Sequence, residues 1–201
     1  MNDRISHSLH YIVLAALGIA LFIVIVVVNP FKFHDHLLEP PMKVADFTLQ
    51  TAGNQLFHLS DQRGKVALLF FGYLNDSEIS PTTLARFKEA HDMLGEDAKQ
   101  VLFVMITVDP DRDTPDKVAE YVAQFSSDFI GLGGSSSELE SVWKELGVFV
   151  DKEKSINEAG YVVSHTASVY IIDQNGILQL LLPYGTSATD LVDTVTQLLN
   201  K

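Results

Sequence analysis

Two short stretches of the chain have no polar face. Residues 66–72 read VALLFFG and residues 101–108 read VLFVMITV. A strand that is apolar on both sides needs cover on both sides, as inner strands of a parallel sheet have. Each stretch is followed by a helix signal. Ser80-Pro81 precedes Leu84, Phe87 and Leu94, and Thr114-Pro115 precedes Val118, Tyr121, Val122 and Phe125. Proline suits a first helical position and a capping residue suits the place before it, so Ser80 is the plausible cap of the first helix and Asp113 or Thr114 of the second. Strand and helix in alternation predict an α/β sandwich.

The flanking segments complete that plan. Phe47 and Leu49 alternate with polar residues, Thr51-Ala52-Gly53-Asn54 makes a turn, and Leu56 to Leu59 returns, which predicts a leading hairpin. A short strand is expected near Phe129 to Leu132. A helix capped by Ser136 or Ser137 runs to Leu146, and residues 147–160 are a charged excursion. Thr166 to Ile172 and Ile177 to Leu182 flank Asp173-Gln174-Asn175-Gly176, where Asn-Gly signals a tight hairpin. A last helix is expected from Ser187 to Leu199. A hairpin closing a parallel core makes the sheet mixed.

Ahead of this domain, residues 11–28 read YIVLAALGIALFIVIVVV, 18 apolar residues without a break. At about 1.5 Å of rise per residue, such a helix spans a hydrocarbon core. No Ala-x-Ala cleavage site follows the run, so it reads as an uncleaved anchor and not as a signal peptide. The expected organisation is a polar lead (1–10), a transmembrane anchor (11–29), a proline-bearing linker (30–42) and one domain (43–201). Arg4 and Lys32 lie on either side of the span, so flanking charge barely sets its orientation.

A formal charge of −12 repels phosphate backbones and argues against nucleic-acid binding. The chain has no cysteine, hence no disulfide, thiolate metal site or thiol nucleophile.

Three segments hold chemically capable side chains. The first, residues 70–84, carries Asp76, Glu78 and Ser80 at a strand-to-helix corner, where free N–H groups and a partial positive charge gather. The same acids also serve as ordinary caps. The second, residues 108–115, reads VDPDRDTP; Asp113 or Thr114 can cap the next helix and Arg112 can pair with a neighbouring acid. The third, residues 161–170, places His165 just before a strand, as a metal ligand or as a packed histidine. His34-Asp35-His36 in the linker is a further conceivable metal pair.

Together these segments resemble the Sco (SenC) family of membrane-anchored, thioredoxin-like copper-delivery proteins. The resemblance spans residues 40–200. It rests on FGY…PTTL (70–84), VDP-x-RDTP (108–115), the histidine at 165 with YIID-x-x-G after it, and the LSD-x-x-GK lead-in at 59–65. It implies a thioredoxin-like mixed sheet flanked by helices and an N-terminal transmembrane helix. It also implies inner-membrane placement with the domain on the outer, periplasmic face, and a protein partner in respiratory-oxidase assembly. In that family two cysteines three residues apart bind copper with the later histidine. Their positions fall here on Asp76 and Ser80, the histidine matches His165, and the acid usual before it is Ser164.

Cu(I) prefers soft sulfur donors, and thiol exchange needs a thiol. The expected function is therefore a non-redox binding or assembly factor without a bound cofactor. A weak Cu(II) or Zn(II) carrier through His165 and Asp76, helped by Glu78, is the alternative. A thioredoxin-fold peroxidase or disulfide reductase lacks its reacting atom, so no enzyme activity is expected.

Overall fold

The computed structural model describes residues 36–154 and 160–200, with backbone alone for 36–40. The expected polar lead, the anchor (11–29) and His34-Asp35 lie outside the described residues. Among the described residues no helix is long and apolar enough to cross a membrane.

The strands are β1 (His36–Lys43), β2 (Thr48–Gln50), β3 (Leu56–His58), β4 (Val66–Gly72), β5 (Val101–Thr107), β6 (Ile130–Leu132), β7 (Val150–Lys154), β8 (Tyr161–His165), β9 (Val169–Ile172) and β10 (Ile177–Leu182). The α-helices are α1 (Ile79–Leu94), α2 (Pro115–Ala123), α3 (Ser136–Leu146) and α4 (Ala188–Leu199). Six strands form one mixed sheet in the order β1-β10-β9-β4-β5-β6. β4, β5 and β6 are parallel, while β9 runs antiparallel to both β4 and β10.

The two apolar runs are central strands, and every residue of β4 and β5 is buried. Alternation splits their side chains between two cores. Val66, Leu68, Phe70, Phe103 and Met105 face Leu84 and Phe87 of α1, Val118 of α2 and Leu191 and Val195 of α4. Ala67, Leu69, Phe71, Val104 and Ile106 face Leu139, Val142 and Leu146 of α3, with Leu49 and Phe57 of the β2–β3 hairpin. This double cover is what an unbroken apolar strand requires.

Four expectations need correction. The stretch expected as linker, 30–42, becomes an edge strand from His36 onward, paired antiparallel with β10. Its two prolines, Pro40 and Pro41, fall where the register shifts between Leu37 and Met42. An edge strand with an irregularity tolerates residues that cannot donate to the ladder. The charged excursion, 147–160, contains β7, which pairs with β8 in a separate two-stranded sheet. Helix α3 is capped by Ser135, in a reciprocal box with Glu138, and not by Ser136 or Ser137. The strand expected over 166–172 begins only at Val169; His165 instead ends β8. Of the two expected candidates, Asp113 and Thr114, it is Thr114 that caps α2, its hydroxyl accepting from the Lys117 N–H.

Candidate functional site

The first candidate segment folds around one carboxylate. β4 ends at Gly72, the chain turns through residues 73–78, and α1 begins at Ile79. The first N–H groups of a helix have no partner within it. Asp76 supplies that partner. Its Oδ1 accepts from the N–H groups of Glu78 and Ile79, each at 3.0 Å. Its Oδ2 accepts from the Ser80 N–H at 2.8 Å and from the Ser80 hydroxyl at 2.9 Å. Asp76 is thus the cap that the sequence assigned to Ser80. The side-chain charge also lies at the positive end of the helix.

Ser80 is fully buried inside the first turn. Its hydroxyl donates to Asp76 and accepts from the Tyr73 N–H at 3.2 Å. Gly72 makes this possible. A Cβ there would lie 2.5 Å from both Ser80 Oγ and Phe70 Cε1.

His165 reaches the same corner from the end of β8. Its side chain is 1% exposed, and its Nδ1 lies 3.1 Å from the Thr166 carbonyl oxygen. A carbonyl only accepts, so Nδ1 carries a proton, and Nε2 faces Asp76. The Nε2-to-Oδ2 distance is 3.6 Å, and Nε2 has no hydrogen-bond partner. Tyr73 stands edge-on to the imidazole with centroids 5.8 Å apart, and Phe70 at 6.2 Å. Burial pushes the Asp76 carboxyl upward. The imidazole beside it, the Glu78 and Ser80 N–H groups and the Ser80 hydroxyl more than offset this, holding it well below the usual carboxylate range.

A second polar cluster lies beside the first. Asp109 is fully buried, and accepts from Arg112 Nε and, at 2.6 Å, from the Tyr161 hydroxyl. The Arg112 guanidinium lies 3.7 Å from the centre of the Tyr161 ring, and its Nη1 donates to the Tyr161 carbonyl at 3.2 Å. Lys152 Nζ donates to Asp111 at 2.6 Å and lies 3.6 Å from Asp109. Asp113 accepts from the Thr107 hydroxyl at 2.7 Å and from the Leu74 N–H at 3.1 Å, tying the two candidate loops together. Burial pushes its carboxyl up, against those two donors and with Asp109 adding to the rise.

The structure therefore joins Asp76, Ser80 and His165 in one buried cluster. Glu78 contributes its backbone N–H, and the residue is exposed. Arg112 pairs with a neighbouring acid, Asp109, as expected. Sequence reasoning missed Tyr73, Lys152 and Tyr161. For Tyr161 a signal exists: it stands four residues before His165, on the same face of an alternating strand.

Copper does not fit these donors in the form the resemblance implies. Both donors at the expected cysteine positions are oxygens, and every Asp76 oxygen is already engaged by hydrogen bonds. Cu(I) selects soft sulfur donors over such oxygens. Among the described residues no group of three or more His, Asp or Glu side chains is arranged to hold a metal ion.

The SCO1/SenC family profile matches residues 36–200. An SCO2-like protein of Rickettsia prowazekii is 30% identical over 150 residues, spanning 74% of this chain and 73% of the relative. The solution structure of apo Sco1 from Thermus thermophilus is similar with a TM-score of 0.75 at 32% identity, covering 84% of this chain and 98% of that one. Bradyrhizobium japonicum ScoI with copper bound gives a TM-score of 0.72 at 26% identity, covering 79% and 100% respectively.

Proposed function

The chain belongs to the SCO1/SenC family, and on that premise we propose that it is a membrane-anchored, non-redox factor of respiratory-oxidase assembly. In this reading it docks a protein partner and carries neither Cu(I) nor electrons. Residues 11–29 hold it in the inner membrane, with the domain on the outer face. The single observation that carries the proposal is the saturation of Asp76. Four hydrogen bonds from the start of α1 occupy its oxygens. What stands at the family's copper-binding position is a helix cap.

The reading excludes thiol chemistry because the chain has no thiol. Ser80 is no substitute nucleophile. It is fully buried, and its proton is directed at Asp76, away from any approaching substrate.

One observation favours a second reading, a weak Cu(II) or Zn(II) site of His165 and Asp76. The Nε2 atom of His165 makes no hydrogen bond within normal distance and faces a carboxylate. Calorimetry of the full chain with either ion separates the two: uptake that disappears in His165→Ala establishes the metal site, and no uptake at micromolar metal removes it.

The main test is recovery of the tagged full chain from membranes of its source under mild detergent. Co-purification of an oxidase-assembly or envelope protein, undiminished by a copper chelator, is the expected result. Retention of one Cu(I) per chain against a competing chelator overturns the proposal.

A further inference from the structure

We propose that the outer face of the β7–β8 hairpin is a docking surface for a protein segment that presents Lys or Arg side chains around an apolar one. The proposal rests on the partner-docking function above and names the surface and its chemistry.

The hairpin pairs with no other described strand, so its two faces are distinguished only by what each touches. The inner face is fixed at both ends. At one end His165 is buried between Tyr73 and Phe70. Toward the other, Tyr161 and Lys152 reach Asp109 and Asp111, while Arg112 holds the Tyr161 carbonyl. Val163 between them is buried.

Alternation along the paired strands puts Asp151, Glu153, Val162 and Ser164 on the opposite side. Phe149, one residue before β7 and hydrogen-bonded to Thr166, one residue after β8, continues that alternation. The Ser164 hydroxyl donates to Glu153 at 3.1 Å, which confirms that these two share a face. This outer face is apolar at its two ends. Phe149 is 60% exposed and Val162 is 39% exposed. Phe149 does not belong to a loose loop. Its N–H donates to Thr166 Oγ1 at 2.9 Å, and its carbonyl accepts from the Thr166 N–H at 3.0 Å. An exposed aromatic side chain on a pinned backbone is suited to anchor a protein interface. The fixed inner face also means that little order has to be imposed when a partner arrives.

Charge selects the occupant. Asp151 lies between the two apolar ends and Glu153 stands directly opposite Val162, and among the described residues of the two strands no cation shares their face. The strand's lysines, Lys152 and Lys154, alternate to the other side. The chain as a whole carries −12. A nucleic acid or an anionic membrane is repelled by such a face. A segment with Lys or Arg opposite the two acids, and an apolar side chain against Phe149, is matched to it. Arginine is favoured further because its guanidinium stacks on an aromatic face.

The test uses the full chain in membranes of its source, with the photo-crosslinker p-benzoylphenylalanine at position 149 or 162. Controls carry it at Leu56 or Met93, which are both more exposed than Val162 and far in sequence from the hairpin. The expected result is crosslinking from 149 and 162 to a protein segment containing Lys or Arg beside an apolar residue. Asp151→Lys with Glu153→Lys, both at exposed positions, should cut that yield about tenfold. Three results overturn the proposal and leave the docking function standing: crosslinks only from 56 or 93, crosslinks to a second copy of the chain, or a yield unmoved by the charge reversal. No crosslink at any position overturns it as well, and the co-purification experiment then shows whether the docking function falls with it.

Discussion

His165 Nε2 lies 3.6 Å from Asp76 Oδ2, joining the end of β8 to the start of α1 through two buried side chains. Neither residue is near the other in sequence. Each is also fixed independently, Asp76 by the helix start and His165 by the Thr166 carbonyl. The contact therefore depends on both local structures forming.

Removing the Asp76 carboxylate should cost more than an ordinary cap. Asp76→Ala loses the cap and leaves the buried Ser80 hydroxyl without its acceptor. The expected destabilisation is about 2–4 kcal/mol, from a lost cap plus an unsatisfied buried group. Urea unfolding of the full chain, followed by circular dichroism, measures it. An unchanged midpoint would show that α1 starts without this residue.

Acid should weaken the same corner. The Asp76 carboxyl is held low in the folded chain, against an ordinary value of 3.8. Its contribution is therefore complete above that ordinary value and is lost as pH falls below it toward the folded value. Asp113 works in the opposite sense. Its folded carboxyl is raised, so its effect is present below the ordinary value and fades as pH rises through the folded one. The acid limb of wild-type stability should flatten in Asp76→Asn. An unaltered limb counts against the assigned role.

A separate loss is expected in alkali. Burial and the hydrogen bond to Asp109 push the Tyr161 hydroxyl up from 10.0 to about 12. A raised folded value means that its contribution is present below pH 10 and disappears as pH rises through about 12. Tyr161→Phe should be less stable at neutral pH by about 1 kcal/mol, the net worth of one hydrogen bond. It should lose less than wild type between those two values. Thermal unfolding at pH 7 and pH 11 tests both halves.

Replacing oxygen by sulfur should restore what the family resemblance implies. Asp76 Oδ2 and Ser80 Oγ are 2.9 Å apart, with His165 facing the first. The double variant Asp76→Cys with Ser80→Cys is expected to bind one Cu(I) per chain, and His165→Ala added to it should weaken that binding. Competition against a colorimetric Cu(I) chelator reads both. If the double variant folds and takes up no Cu(I), the departure from the family extends beyond the two donors.

Gly72→Ala should disturb the site without touching its charges. The added Cβ meets Ser80 Oγ and Phe70 Cε1, each at 2.5 Å. Overpacking of this kind costs about 1–3 kcal/mol. Altered His165 ring resonances in NMR would show that the strain reaches the imidazole. A variant as stable as wild type would mean that the corner yields freely.

Much of this architecture is legible in the sequence. β4 and β5 announce themselves because burial on both faces leaves no polar position, and Asn175-Gly176 marks the turn between β9 and β10. β1 does not, because Pro40 and Pro41 speak against a strand until β10 is there to pair with it. β7 hides for a related reason. Lys152 looks like a surface charge until Asp109 and Asp111, from a distant loop, give it an inward partner. The site was half visible. Asp76, Ser80 and His165 could be named, but local preference gives the cap to serine just before proline. Only the loop conformation shows that a carboxylate four residues earlier gathers the free N–H groups first.

The cap at Asp76 also restricts how this chain can change. Cysteine placed first at 76 leaves α1 without its cap. Cysteine placed first at 80 forces a larger atom into a corner already tight enough to require Gly72. Either order passes through a weakened intermediate before two sulfurs can meet. A chain acquiring two thiols one codon at a time meets that loss of stability before the second sulfur is in place.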